Sequence, residues 1–218
     1  MYFVCTREEE DCKELYGGAW GYYRNKEDAI DAVHRNVTDI HETIYPYAII
    51  EQLEQGLFPV PKEREWFGWD EDKDGFYEIE PPDCNKYFPH NFSVVLGEIG
   101  DNDSKYTEES STTVDKNTPC YFIMAMSSDD SEVEGVRKCG FFTDRETAFN
   151  AVRENWGNIY NDKYDVAWIE CIHPYILARS TECVWFKWSG EENRYCVSTP
   201  PEAFADLPTT PYYPVSFL

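Results

Sequence analysis

Tyr47-Ala48-Ile49-Ile50-Glu51-Gln52-Leu53 returns 119 residues later as Val166-Ala167-Trp168-Ile169-Glu170-Cys171-Ile172, and these two stretches decide the fold. Read as strands, they point alternate side chains to opposite faces. Ala48 and Ile50, with Ala167 and Ile169, make one face small and apolar, suited to contact with a helix. The other face carries Tyr47, Ile49, Glu51 and Leu53 in one stretch and Val166, Trp168, Glu170 and Ile172 in the other, so it is largely apolar as well. Two apolar faces need two covers, and one helix supplies only one.

Outward from these strands the same offset holds without a gap from residues 2–82 to 121–201, with twenty identities in 81 positions. Tyr2-Phe3 returns as Tyr121-Phe122, Gly21-Tyr22-Tyr23 as Gly140-Phe141-Phe142, and Ala29, Ala32 and Val33 as Ala148, Ala151 and Val152. Trp66-Phe67-x-Trp69 returns as Trp185-Phe186-x-Trp188, and Pro81-Pro82 as Pro200-Pro201. Matches concentrated on aromatic and small apolar residues mark core positions of a tandem duplication.

Each copy follows one plan. Strands are expected at Tyr2–Thr6 and Ala19–Tyr23, and again at Tyr121–Met126 and Lys138–Phe142. A helix follows each pair, opened by Asn25-x-x-Asp28 in the first copy and by a Thr143-x-x-Glu146 capping box in the second. After the third strand comes a hairpin, Glu65–Trp69 with Phe76–Glu80, repeated as Val184–Trp188 with Tyr195–Thr199. A last strand is expected at Phe92–Ile99 and at Tyr212–Leu218. The fold class is therefore α+β, two tandem ββαβββ-like domains: residues 1–100, an acidic polar linker 101–118 with too little apolar surface to fold, and residues 119–218. The faces away from the helices are expected to pack on each other about a pseudo-twofold axis, burying Trp66, Trp185, Ile49 and Trp168; a homodimer through those faces is the alternative.

The chain has 42 acidic and 19 basic residues, a net charge of −23. Residues 1–120 hold 27 acidic against 11 basic, so the charge is concentrated in the first copy and linker. Such a molecule is repelled by phosphate backbones and anionic membranes, which argues against direct nucleic-acid or membrane partners. With no basic leader, no long apolar run and eight cysteines that do not repeat between copies, the expected setting is the cytoplasm, with the cysteines as core fillers.

No catalytic signature stands out. Asp70-x-Asp72-x-Asp74-Gly75 begins like a calcium loop, but position twelve is Pro81, the flanks read as strands, and the second copy has Ser189, Glu191 and Asn193; it reads as an acidic hairpin tip. His34, His41, His90 and His173 are dispersed, and no metal or cofactor is expected. Glu51 and Glu170, kept on an otherwise apolar face, read either as strand carboxylates paired with a nearby cation or tyrosine, or as a site at the axis. In the second case a ligand-binding group would comprise Tyr47, Glu51, Trp66, Trp168, Glu170 and Trp185, suited to a neutral or cationic aromatic molecule.

Tyr47-Ala48-Ile49-Ile50-Glu51-Gln52-Leu53-Glu54-Gln55-Gly56-Leu57-Phe58-Pro59, with Trp66-Phe67-Gly68-Trp69-Asp70 and Glu80-Pro81-Pro82, resembles a small uncharacterised domain of Gram-positive gut bacteria and their phages. The resemblance implies an α+β fold and a bacterial or phage source, and no activity. The functional expectation is an acidic, non-enzymatic interaction protein, a phage or mobile-element inhibitor. It would bind a basic host protein surface through Glu8, Glu9, Glu10 and Asp11 and through Asp70, Glu71, Asp72 and Asp74. A small-molecule-binding module with its site between the copies is the alternative.

Overall fold

A computed structural model describes residues 1–8, 18–82, 117–128, 136–178 and 180–202. Strands β1 (Tyr2–Arg7) and β2 (Ala19–Tyr23), helix α1 (Lys26–His34), and strands β3 (Tyr47–Gln52), β4 (Gly56–Leu57), β5 (Glu63–Asp70) and β6 (Gly75–Ile79) make the first half. The second half has the same order: β7 (Cys120–Met126), β8 (Arg137–Phe142), α2 (Arg145–Arg153), β9 (Val166–Ile172), β10 (Tyr175–Ile176), β11 (Ser180–Ser189) and β12 (Arg194–Ser198). The protein is α+β, with two antiparallel sheets and two helices. The strands expected at Phe92–Ile99 and Tyr212–Leu218, and all of the linker but residues 117 and 118, lie outside the described residues.

Both helices start where an Asn or Asp side chain accepts a free backbone N–H, which fixes the first turn. Asn25 accepts from the Asp28 amide, as expected. In the second half the cap is Asp144, accepting from the Thr147 amide, and not the Thr143 capping box. Asp144 is the residue 119 positions after Asn25, and it serves because a carboxylate accepts this N–H at least as well as a hydroxyl.

Each helix covers one face of one sheet. Ala29, Ala32 and Val33 of α1 pack with Val4, Ala48, Ile50, Phe67 and Phe76. Ala148, Phe149, Ala151 and Val152 of α2 pack with Ile123, Ala125, Ala167, Ile169 and Phe186. Beyond each helix, Asn36 and Asn155 stand in the left-handed region, and each side chain accepts the N–H five residues on, of His41 and Tyr160. That lays His41 flat on Trp69 at 3.8 Å and Tyr160 flat on Trp188 at 4.0 Å, tying the turn to the hairpin.

The faces away from the helices share a core drawn from both halves. Phe3, Tyr22 and Leu53 meet Phe122, Phe141, Ile172, Trp168 and Trp185. Ring centroids of Phe3 and Phe141 are 5.1 Å apart, and those of Tyr22 and Phe122 are 5.6 Å apart. Tyr22 also donates from its hydroxyl to the Ile172 carbonyl (2.7 Å) and accepts from the Cys120 amide (2.9 Å). Ile49 and Trp66, on the same face of the first sheet, are equally buried, but their apolar cluster holds Cys5, Tyr47 and Ile79, all from the first half.

Two short strands were not expected at all, and each leaves its own half. β4 pairs with β8 as Gly56↔Phe141 and Leu57↔Gly140, while β10 pairs with β2 as Tyr175↔Tyr22 and Ile176↔Gly21. Each six-stranded sheet is thus completed by a strand of the other half, in the orders β10-β2-β1-β3-β5-β6 and β12-β11-β9-β7-β8-β4. Leu57 enters the core under α2, and Ile176 the core under α1. Burying either side chain contributes roughly 1.5–3 kcal/mol.

The exchange explains two glycines. A Cβ at Gly21 would lie 2.1 Å from the Tyr175 carbonyl oxygen, and one at Gly140 would lie 2.1 Å from that of Gly56. Only a residue without a side chain lets the visiting backbone so close. After the paired residues both arms turn through the left-handed region, at Phe58 (φ 48°) and Leu177 (φ 52°). Their amides donate back to Cys139 O (2.6 Å) and Trp20 O (2.7 Å).

Candidate functional site

The layer between the sheets holds most of the buried charge. Arg7, Glu51, Lys138 and Glu170 are all no more than 5% exposed, and Arg64 flanks them. The strand registers set their places. Glu51 on β3 stands between Phe3 on β1 and Arg64 on β5, and Arg7 on β1 stands beside Tyr47 on β3. On the facing sheet, Met124 on β7 stands between Lys138 on β8 and Trp168 on β9, and Trp168 is next to Trp185 on β11. Glu170 stands between Phe122 and Cys183.

The Arg64 guanidinium donates from Nε to Glu51 Oε1 at 2.7 Å, with side-chain exposures of 10% and 0%. Glu51 is therefore a paired strand carboxylate, one of the two roles its position in the sequence allowed. Arg7 donates to its neighbour's carbonyl, Thr6 O, at 2.6 Å, and burial lowers its pKa. Lys138 Nζ donates to no described residue, and burial first and Arg7 second bring its ammonium down to about 8, against the opposing pull of Cys5 and Glu170. The indole N–H of Trp168 is likewise buried without a hydrogen-bond partner among the described residues. Burial, with Glu170 and Glu182 nearby, pushes the Cys183 thiol up to about 12, so it stays protonated.

The six residues expected to form one ligand site fall into separate contacts. Tyr47 meets Trp66 edge to face at 6.0 Å in the cluster of the first half. Trp168 and Trp185 stack at 4.8 Å in the shared core. Glu51 is closed off by Arg64, and Glu170 lies on the opposite sheet. The sequence reading missed Arg7, Arg64 and Lys138. The alternation of β1 points Arg7 to the same side as Phe3 and Cys5, which was a usable signal. Lys138 carried none, because the residue 119 positions before it is Ala19.

The acidic residues expected to meet a partner lie elsewhere. Glu9, Glu10 and Asp11 are outside the described residues. Glu8 follows the end of β1, and the registers Arg7↔Tyr47, Tyr47↔Gly68 and Gly68↔Tyr77 bring that end level with the β5–β6 hairpin tip. At the tip Glu71, Asp72 and Asp74 are exposed, and Asp70 is ion-paired with Lys73. Glu42 and Glu8 both act on the Tyr45 phenol, whose pKa is raised by burial first and then by these two carboxylates. Glu8, Glu42 and the tip thus share one end of the first sheet.

Among the described residues no group of three or more His, Cys, Asp or Glu is placed to hold a metal ion, and no helix is long and apolar enough to cross a membrane. Cys5, Cys120, Cys139 and Cys171 are buried, Cys183 and Cys196 are half-buried, and no disulfide joins any two of these six. Comparison with protein-family models, with curated proteins and with solved structures finds no match to this chain.

Proposed function

We propose that this chain is two copies of one α+β unit related by a pseudo-twofold axis, and that it works without catalysis as an acidic docking protein for a basic protein surface. The observation that carries the reading is the strand register that brings Glu8 level with the 70–74 tip at one end of the first sheet, with Glu42 acting together with Glu8 on Tyr45 there. The same end of the second half has Ser127, Asn161, Ser189, Gly190 and Asn193 at the positions of Glu8, Glu42, Asp70, Glu71 and Asp74; it keeps a carboxylate at the position of Asp72, Glu191, and its Glu192 is ion-paired with Arg194. A fold-driven pattern would treat both ends alike; an array of carboxylates on one end suits attraction to a basic groove, with fast, salt-sensitive association. Because carboxylates on a rigid domain can stand in for a phosphate array, the partner class is a host factor with a basic, nucleic-acid-binding surface. Capture from a bacterial lysate at low and raised ionic strength tests this. A basic protein held at low salt, released by salt and lost on reversal of Asp70, Asp72 and Asp74 to Lys supports the reading; a partner indifferent to all three ends it.

A second reading, a small molecule held between the sheets, is favoured by the two buried donors, Lys138 Nζ and Trp168 Nε1. Three cations against two carboxylates in that layer favour an acceptor-bearing or anionic ligand over the neutral or cationic aromatic one that the sequence suggested. Thermal-shift screening of small carboxylates, with Lys138→Met as the control, tests it.

A further inference from the structure

Where β10 reaches the edge of β2, beside α1, the two halves leave a cleft of about 270 Å³. Tyr23 and Tyr175 form one wall, their rings edge to face at 6.2 Å, and Tyr175 is half exposed. Asp28 and Asp31 line it from the helix. Its two arginines are already engaged. Arg24 donates to Thr118 O from Nε (3.0 Å) and Nη2 (2.6 Å) and to Pro119 O (3.2 Å), holding the entry to β7. Arg35 donates to Asp31 Oδ2 at 3.1 Å, and Asp28 Oδ2 accepts from Asn25 Nδ2 at 2.6 Å. Oδ1 of each aspartate is left without a donor among the described residues. The Tyr23 phenol is pushed up to about 12 by burial, then by Tyr175 and by both aspartates, so the wall is neutral and aromatic while the carboxylates' field reaches it.

We propose that this cleft binds an organic cation the size of one lysine or arginine side chain, with the tyrosine rings taking its stem and charge and Asp28 and Asp31 as its counter-ions. Aromatic faces and carboxylates both attract ammonium or guanidinium groups. Because Arg35 offsets Asp31 and Arg24 keeps its charge on neutral carbonyls, the preference for a cation rests chiefly on the tyrosine faces and on Asp28. The volume lies below the roughly 300 Å³ at which drug-sized pockets begin, so it suits a single side chain or a small amine. The other exchange edge shows that the fold does not require this chemistry. There, Phe142, Thr147, Asn150 and Gly56 occupy the positions of Tyr23, Asp28, Asp31 and Tyr175, without a hydroxyl on the ring or a charge. The site is distinct from the acidic end of the first sheet and does not depend on it.

NMR titration of the full chain with butylammonium, N-acetyl-lysine methylamide, butanol and butyrate provides the test. Both cations are expected to give saturable shifts at Tyr23, Asp31 and Tyr175, and butanol and butyrate none. Asp28→Asn with Asp31→Asn, which keeps the Asn25 cap, is expected to weaken the cations by about fivefold or more. Tyr175→Leu tests the aromatic wall independently and is expected to weaken them as well. Reversal of Asp70, Asp72 and Asp74 to Lys is expected to leave the cations' affinity unchanged. Tighter binding of the lysine amide identifies a protein side chain as the occupant, and tighter binding of butylammonium a free amine; either agrees with the site. Equal binding of butanol, no saturable cation binding, or loss in the Lys-reversal variant with retention in the double Asn variant overturns the proposal.

Discussion

The two edges where the halves exchange strands have one backbone and two chemistries. At β8 the visiting arm is tied down: Gln55 Oε1 accepts from the Thr143 amide (2.9 Å) and hydroxyl (2.8 Å), Arg137 lies over the Phe58 ring at 4.4 Å, Leu57 fills the core under α2, and the cleft of about 260 Å³ along the arm is lined by residues 54–62 of the arm itself. At β2 the arm seats Ile176 in the same way but leaves tyrosines and aspartates around an open cleft. The shared features, glycine and small apolar plug, are what the exchange requires. The differences are free to serve something else. The same division runs through the inter-sheet layer, where the residues 119 positions after Arg7 and Arg64 are Met126 and Cys183.

The comparison breaks most severely if the glycines are replaced. Gly140→Val drives a side chain into the backbone of β4, and Gly21→Val does the same to β10. Each is expected to cost about 4 kcal/mol or more in urea unfolding, with loss of amide protection at Leu57–Phe58 or Ile176–Leu177. A cost under about 1 kcal/mol for one of them would show that its arm is a loose contact and not part of the sheet.

Next comes the buried ion pair of the first half, Glu51 with Arg64. Arg64→Met takes the hydrogen-bonded cation from the buried Glu51 carboxylate, leaving it in the field of Arg7, and is expected to cost about 3 kcal/mol. Adding Glu51→Leu is expected to restore most of this, because two well-packed apolar groups need no compensation. Additive losses in the double-mutant cycle would show that the pair does not couple.

Lys138→Met is expected to stabilise the protein, with a pH dependence that identifies the cause. Burial lowers the folded lysine to about 8, while the unfolded chain holds its proton to about 10.4. Below about pH 8 the native state carries a charged, unpartnered amine, and this penalty fades as pH rises through the window between the two values. The gain of the variant over the parent is expected to be roughly 2–3 kcal/mol near pH 7 and to vanish towards pH 10. Taking the difference cancels the buried thiols and tyrosines, which titrate in the same alkaline range in both proteins. A pH-independent difference would assign the effect to packing.

Tyr22→Phe makes the first half like the second, where Phe141 stands. It removes the hydroxyl that bridges the Ile172 carbonyl and the Cys120 amide, and about 1–2 kcal/mol is expected to go with it. The smallest effect is expected at the hairpin tip. Asp70→Asn breaks only the exposed pair with Lys73 and is expected to leave the unfolding midpoint unchanged while slowing association with a basic partner.

What the sequence determined by itself is local or repeats with a short period. Alternation on β3 and β9 assigned their faces, since side chains in a strand have no choice of side. The Asn25 cap and the Ala29, Ala32 and Val33 spacing placed α1, because the free amides of a first turn and the stripe of a helix are set within a few residues. The hairpins followed from paired aromatic runs around polar tips. Glu51 on an apolar face was visible as an exception, and its two possible roles were visible with it.

Tertiary structure alone decided the rest. Gly56–Leu57 and Tyr175–Ile176 are two-residue strands whose partners lie 83 and 155 residues away in the pairs Leu57↔Gly140 and Ile176↔Gly21. No periodicity can register in two residues, and the reason for Gly21 and Gly140 lies in the backbone that arrives beside them. Arg64 read as one charge among many until strand register set it against Glu51, and Lys138 until two sheets closed over it. Charge placement of this kind depends on which faces meet, and dielectric and distance exist only once they have met.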